Sequence, residues 1–239
     1  MQPNNKLILA LDVDSIEKAE ALVSELKDHV GIYKVGKELF TATGPEIVKK
    51  INQIGGKVFL DMKYHDIPNT VAKAAEAATK LGVYMFNIHA SGGYKMMYDA
   101  VEAVKKSSAE LGIKKPLVLG VTVLTSIDQT TLNNELRING TVEEQVVHLA
   151  KLAQKAGLDG VIASPQEIKA IRAACGSDFL IVTPGVRPLW AASQDQKRVT
   201  TPKEAIEQGA DYLVIGRPIT GAENRIDAAK KILEEIKNA

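Results

Sequence analysis

Short apolar, β-prone runs recur along the 239-residue chain, and longer stretches with helical spacing lie between them. The runs are Leu7 to Leu11, Gly31 to Val35, Lys57 to Leu60, Val83 to Ile88, Leu117 to Val121, Gly160 to Ile162, Phe179 to Val182 and Tyr212 to Ile215. Most are apolar nearly throughout, as strands covered on both faces are, so repeated βα units and a parallel sheet are predicted. Helices are predicted over Ser15 to Lys27, Pro45 to Ile54, Ile67 to Leu81, Gly93 to Leu111, Val142 to Ala156, Pro165 to Ala174, Pro202 to Gln208 and Ile219 to Ile236. Asp14, Thr141 with Glu144, and Thr201 before Pro202 are N-terminal signals, whereas Ser15 with Lys18 lacks the acidic half of a capping box.

Eight strands alternating with eight helices predict an α/β fold, a (β/α)8 TIM barrel. A doubly wound sheet would normally carry a glycine-rich turn after its first strand, and here that turn reads "LDVDS". With no Gly/Ser- or Pro-rich linker in the chain, residues 1–239 are expected to form a single domain. Ser126 to Gly140 and Arg187 to Thr200 lack an obvious period and are candidate lids, because long loops on this architecture lie where ligands bind.

Thirty basic residues against 29 acidic ones leave a formal charge of +1, so no global field draws in nucleic acid or an anionic membrane. Any anion site must be local. The single cysteine, Cys175, excludes an internal disulfide and fits a reducing compartment. The apolar run Leu7 to Leu11 is too short for a signal-peptide core or a membrane span, so a cytoplasmic location is expected.

In such barrels the reacting groups come from the C-terminal ends of the strands. Polar residues at those places are Asp12, Lys34, Asp61, Lys63, Asn87, His89, Thr122, Thr125, Thr183, Arg187 and Arg217. Asp61 and Lys63, two apart on an extended segment, share a side, and Lys34 on the neighbouring strand completes a charged row. A structural ion-pair network is the plain alternative, but such pairs add little stability at a barrel mouth. A metal held by Asp61, His65, Asp66 and His89 is a second alternative, weakened by the cation of Lys63 in their midst. After the last two predicted strands, "TPGVRP" at 183 to 188 and "IGRPIT" at 215 to 220 combine close-approach glycines with arginines, the features of a phosphate site.

With these residues assembled, the chain resembles the orotidine 5'-phosphate decarboxylases of the bacterial type. The resemblance rests on "LALDVDS" at 9 to 15, "KVGKELF" at 34 to 40, "FLDMKYHDIPNTV" at 59 to 71, "HASGG" at 89 to 93, "VTVLTS" at 121 to 126, "VTPGVRP" at 182 to 188 and "VIGRPIT" at 214 to 220. It implies cofactor-independent, metal-free decarboxylation of orotidine 5'-monophosphate to uridine 5'-monophosphate in pyrimidine biosynthesis, by a homodimer. Carried over by position, Lys63 is the proton donor to pyrimidine C6, and Lys34, Asp61 and Asp66 complete the charged row. Asp66, with Ile67 and Thr70, is implied to come from the partner subunit. Asp12 and Lys34 would hold ribose hydroxyls, and Thr125 and Ser126 would lie by the base. Pro184 joins the substrate-binding set, and Arg187, Gln196, Gly216 and Arg217 would bind phosphate.

Loss of CO2 leaves an in-plane carbanion at C6 that the ring cannot delocalise, and a fixed ammonium beside that carbon answers it. The rivals are a magnesium-dependent sugar-phosphate decarboxylase or synthase of the same suprafamily, and a catalytically silent nucleotide-binding barrel.

Overall fold

The computed structural model describes residues 3–191 and 200–239. Eight parallel strands close in chain order: β1 Leu7–Ala10, β2 Ile32–Gly36, β3 Lys57–Tyr64, β4 Met85–His89, β5 Leu117–Val121, β6 Gly160–Ile162, β7 Leu180–Pro184 and β8 Tyr212–Ile215, with β8 returning to β1. The helices are α1 Ile16–Leu26, α2 Lys37–Thr43, α3 Glu46–Gln53, α4 Pro68–Lys80, α5 Gly93–Leu111, α6 Val142–Lys155, α7 Ile168–Cys175, α8 Pro202–Glu207, α9 Arg217–Thr220 and α10 Arg225–Lys237. The predicted barrel is therefore the observed one.

Alternation along the strands divides the apolar residues into two layers. Ile8, Ile32, Phe59, Met85, Leu119, Val182 and Tyr212 fill the barrel as one buried cluster. The opposite parity, among it Leu7, Leu9, Tyr33, Val58, Leu60 and Phe86, meets the helices in a second cluster. In α1 the helical side of that contact is Ala19, Leu22, Val23 and Leu26, an i, i+3, i+4, i+7 stripe. Continuing the inward parity past the filled layer brings up Lys34 after Ile32, Asp61 after Phe59 and Asn87 after Met85. Polar groups thus stand on an apolar floor at the open mouth.

The helix starts follow from their caps. Thr141 and Thr201 each close a full capping box, with Glu144 and Glu204. At α1 the cap is Ser15, whose hydroxyl accepts the Lys18 N–H, while Asp14 lies outside and pairs with the Lys18 ammonium at 2.7 Å.

Several element boundaries differ from the sequence reading. Strand β3 runs on to Tyr64 instead of ending at Leu60, because Asp61 still pairs with Gly36 of β2 and Tyr64 with Ile88 of β4. Helix α2 is short and buries only Leu39, so no apolar period announces it. The predicted final helix is two: Gly221 ends α9, and Asn224 starts α10 by accepting the Asp227 N–H. Between β5 and α6 a single wide helical turn occupies Thr131–Glu135.

At the opposite end of the barrel, carboxylates tie strand starts together. Asp159 accepts the Val118 N–H and the Lys115 ammonium, while Asp211 accepts the Ile181 N–H and one Arg172 nitrogen, all within 2.8 Å. Among the described residues no helix is long and apolar enough to cross a membrane.

Candidate active site

A row of alternating charges crosses the mouth from β1 to β3. The Lys34 ammonium lies 3.4 Å from Asp12 Oδ1 and 3.6 Å from Asp61 Oδ2, and the Lys63 ammonium lies 2.6 Å from Asp61 Oδ1. Lys34 and Asp61 are mostly buried, whereas Asp12 is exposed at the rim. Burial works to raise the pKa of Asp61, but the attraction of Lys34 and Lys63, with hydrogen bonds from Lys63 and Asn87, outweighs it. The balance holds Asp61 below the ordinary carboxylate value, so it is an anion at neutral pH.

Lys63 reaches this position by a different route from the one its spacing suggests. Leu60 pairs with Phe86 and Tyr64 with Ile88, so four steps along β3 match two along β4. Within this irregular stretch Lys63 has φ of 53°, the left-handed region that costs a non-glycine residue about 1–3 kcal/mol. Its side chain shares a side with Asp61 because the backbone is turned there, not because the segment is extended.

Two contiguous hollows open above the row. Lys34, Asp61, Lys63, Thr125 and Pro184 help to line a cavity of about 200 Å³, whose other walls are mainly apolar, including Phe59, Val121 and Ile162. Asp12, Lys34, Pro184, Arg187, Gly216 and Arg217 line a neighbouring cavity of about 390 Å³. Lys34, Pro184 and Val214 belong to both. A Cβ on Gly216 would stand 3.3 Å from the Ala10 Cβ and 3.6 Å from Asp12 Oδ2, so glycine keeps that second wall open. The pair offers a largely apolar cavity that also carries Lys34, Asp61 and Lys63, joined to a chamber with two guanidinium groups.

A sequence profile described as "Orotidine 5'-phosphate decarboxylase / HUMPS family" matches residues 5–232. The chain belongs to the orotidine 5'-phosphate decarboxylase / HUMPS family. It is 54% identical over 237 residues, 99% of each chain, to the orotidine 5'-phosphate decarboxylase of Syntrophomonas wolfei. The counterpart from Geotalea daltonii is 56% identical over 231 residues, covering 97% of this chain and 95% of that one. Among solved structures, the orotidine 5'-phosphate decarboxylase of Lactobacillus acidophilus superposes with a TM-score of 0.87 at 42% identity, covering 98% of this chain and all of the other.

Not every residue that the family resemblance singled out converges within one chain. Asp66 and Ile67 precede α4 and Thr70 lies in its first turn; all three are exposed and line neither cavity. The Asp66 carboxylate accepts the Ile67 N–H at 2.6 Å and forms no ion pair among the described residues. Ile67 is 66% exposed, large for an isoleucine. Ser126 is likewise exposed and outside both cavities, and Gln196 lies outside the described residues.

Near the row, His89 and His65 have ring centroids 5.3 Å apart. Burial, then the neighbouring His65, Lys63 and Lys37, push the pKa of His89 down to about 4, so it is neutral at physiological pH. Among the described residues no group of three or more His, Cys, Asp or Glu side chains is arranged to hold a metal.

Sequence reasoning placed Asn87 among the polar residues at the strand ends but gave it no specific role; it is fully buried in β4. Its Nδ2 donates to Asp61 Oδ1 at 2.7 Å, and its Oδ1 accepts the Lys63 backbone N–H at 2.7 Å. A signal was present: a carboxamide interrupting the run "VYMFNIHA" is a buried polar group that must find partners.

Proposed function

We propose that this chain decarboxylates orotidine 5'-monophosphate to uridine 5'-monophosphate, with no metal or organic cofactor, as a cytoplasmic homodimer in pyrimidine biosynthesis. The observation that carries the reading is the continuity of the two cavities through Lys34. One has mainly apolar walls to receive a base and carries Asp61 and Lys63, and the other offers Asp12 for a ribose and Arg187 with Arg217 for a phosphate.

In this reading the bond from C6 to the carboxyl carbon breaks, and its electron pair stays on C6 as CO2 departs. The Lys63 ammonium delivers a proton to that carbon and becomes an amine. Before the bond breaks, Asp61 faces the substrate carboxylate. Two like charges at about 4 Å repel by roughly 1 kcal/mol in water and about 4 kcal/mol at an effective dielectric near 20. Enzymes commonly remove roughly 8–23 kcal/mol of barrier, so repulsion is a minor contribution and stabilisation of the developing carbanion by Lys63 is the larger one. Phosphate contacts at Arg187 and Arg217 supply binding energy remote from the reacting carbon, which holds the base against the row.

Asp66 belongs to the neighbouring subunit's site. Its exposure, its lack of an ion-pair partner among the described residues and the apolar Ile67 beside it support that placement. Lys34, Asp61 and Lys63 from one chain and Asp66 from the other would then form the complete row.

The test is the ultraviolet absorbance of orotidine 5'-monophosphate incubated with the purified protein, with and without EDTA, beside Lys63→Ala. Loss of the substrate band that persists in EDTA and disappears with Lys63→Ala is expected. An unchanged band with the parent protein ends the reading, and activity abolished by EDTA favours a magnesium-dependent relative.

A further inference from the structure

We propose that Asn87 is a positioning residue for this decarboxylation, its single carboxamide fixing at once the backbone beneath Lys63 and the carboxylate beside it. The two hydrogen bonds run in opposite senses, the oxygen accepting from Lys63 N–H and the nitrogen donating to Asp61 Oδ1. Their directions determine the orientation of the group. A flipped amide would set two donors face to face at Lys63 and two acceptors face to face at Asp61.

Local geometry makes both bonds matter. Because β3 slips against β4 between Leu60 and Tyr64, the side chain of Asn87 supplies the acceptor for the Lys63 amide. Lys63 adopts φ of 53° at the same place, a conformation that persists only where the surroundings over-determine it. On the other side, Asp61 Oδ1 receives both the Lys63 ammonium and the Asn87 nitrogen, leaving Oδ2 to face Lys34. Asn87 itself lines neither cavity, so it acts through its two neighbours, which line the first. It also carries no charge, and it can therefore orient both members of an ion pair without altering the charge of the row.

Asn87→Asp separates this role from a merely structural one. The variant keeps an acceptor for Lys63 N–H, but at neutral pH it places a second carboxylate against Asp61. On acidification the introduced carboxyl gains a proton and can donate as the amide did. The titratable groups around it are Asp61 and Lys63 of β3, Lys34 of β2 beyond Asp61, and His89 of its own strand, itself beside His65. Strand β5 presents the apolar pair Leu119 and Val121.

The inference rests on the decarboxylation reading, and the two can be told apart. An inactive parent protein ends both, whereas an active parent with indifferent variants ends only the role of Asn87. At pH 8, kcat of Asn87→Asp is expected to fall about 10²-fold, as displacement of reacting groups by about 1 Å can cause. Affinity for uridine 5'-monophosphate, measured by calorimetry, is expected to stay within about threefold of the parent, and the kcat deficit should narrow towards pH 5.5. A deficit below about tenfold, or one equal at every pH, overturns the proposal. Should Asn87→Asp not fold, Asn87→Ser decides. A kcat reduced about tenfold or more with nucleotide affinity retained supports the role, and a smaller loss, or an equal loss of affinity, overturns it.

Discussion

Lys34 stands between two carboxylates, Asp12 on the rim and Asp61 in the interior, in the wall that the two cavities share. Its removal should therefore be felt on both sides. Lys34→Ala is expected to lower kcat/KM roughly 10²-fold, since hydrogen bonds to charged groups contribute about 1.5–3 kcal/mol each. Steady-state kinetics should show both a raised KM and a reduced kcat, and a change confined to KM would restrict Lys34 to ribose binding.

Arg217 begins α9 and lines the larger cavity. Arg217→Ala should reduce kcat/KM by roughly 10- to 100-fold through one lost charge-assisted contact. Its thermal melt should match the parent, because the side chain is exposed and contributes no ion pair among the described residues. An unchanged kcat/KM would remove the phosphate from this chamber.

Subunit exchange tests the placement of Asp66. Lys63→Ala and Asp66→Ala proteins should each be nearly inactive, yet mixing and reassembly should restore activity. Random pairing puts half the molecules in mixed dimers, each with one intact site, so about a quarter of parental activity is expected from a symmetric dimer. No recovery despite verified exchange would assign Asp66 to its own chain.

The depressed pKa of His89 sets a pH dependence of stability. The unfolded chain takes up this proton as pH falls through about 6.5, while the folded chain resists until about 4. Stability should therefore decline between those values and level off for this group below them. A shift of this size would correspond to about 3 kcal/mol if fully buried, and the partial exposure of the ring reduces that to about 1 kcal/mol. Urea denaturation at pH 7 and pH 4.5 should show the decline in the parent and a smaller one in His89→Asn. Equal declines would assign the effect to other groups.

The barrel was legible because its signal is repetitive: eight apolar runs of strand length, each followed by a helical stripe, admit few other arrangements. Boundaries were less so. The extension of β3 to Tyr64 is written in polar residues, and hydropathy ends that strand at Leu60. Asp61 and Lys63 were found as neighbours by counting alternate positions, although Lys63 breaks the extended backbone that such counting assumes. Asn87 was visible as an oddity in β4, but its partners lie 24 and 26 positions away, a distance that only the register of β3 on β4 resolves. Asp66, Ile67 and Thr70 show the opposite limit: motif order marks them, while among the described residues they line neither cavity.

The carboxylates Asp159 and Asp211, each holding a backbone amide and a cation at the strand starts, anchor the barrel far from its reacting end. Under native conditions the amides of Val118 and Ile181 should accordingly be among the slowest to exchange with solvent, and those of the rim loops among the fastest. Breathing at the mouth, as nucleotide enters and CO2 escapes, can then proceed without loosening the foundation on which Lys34 and Asp61 stand.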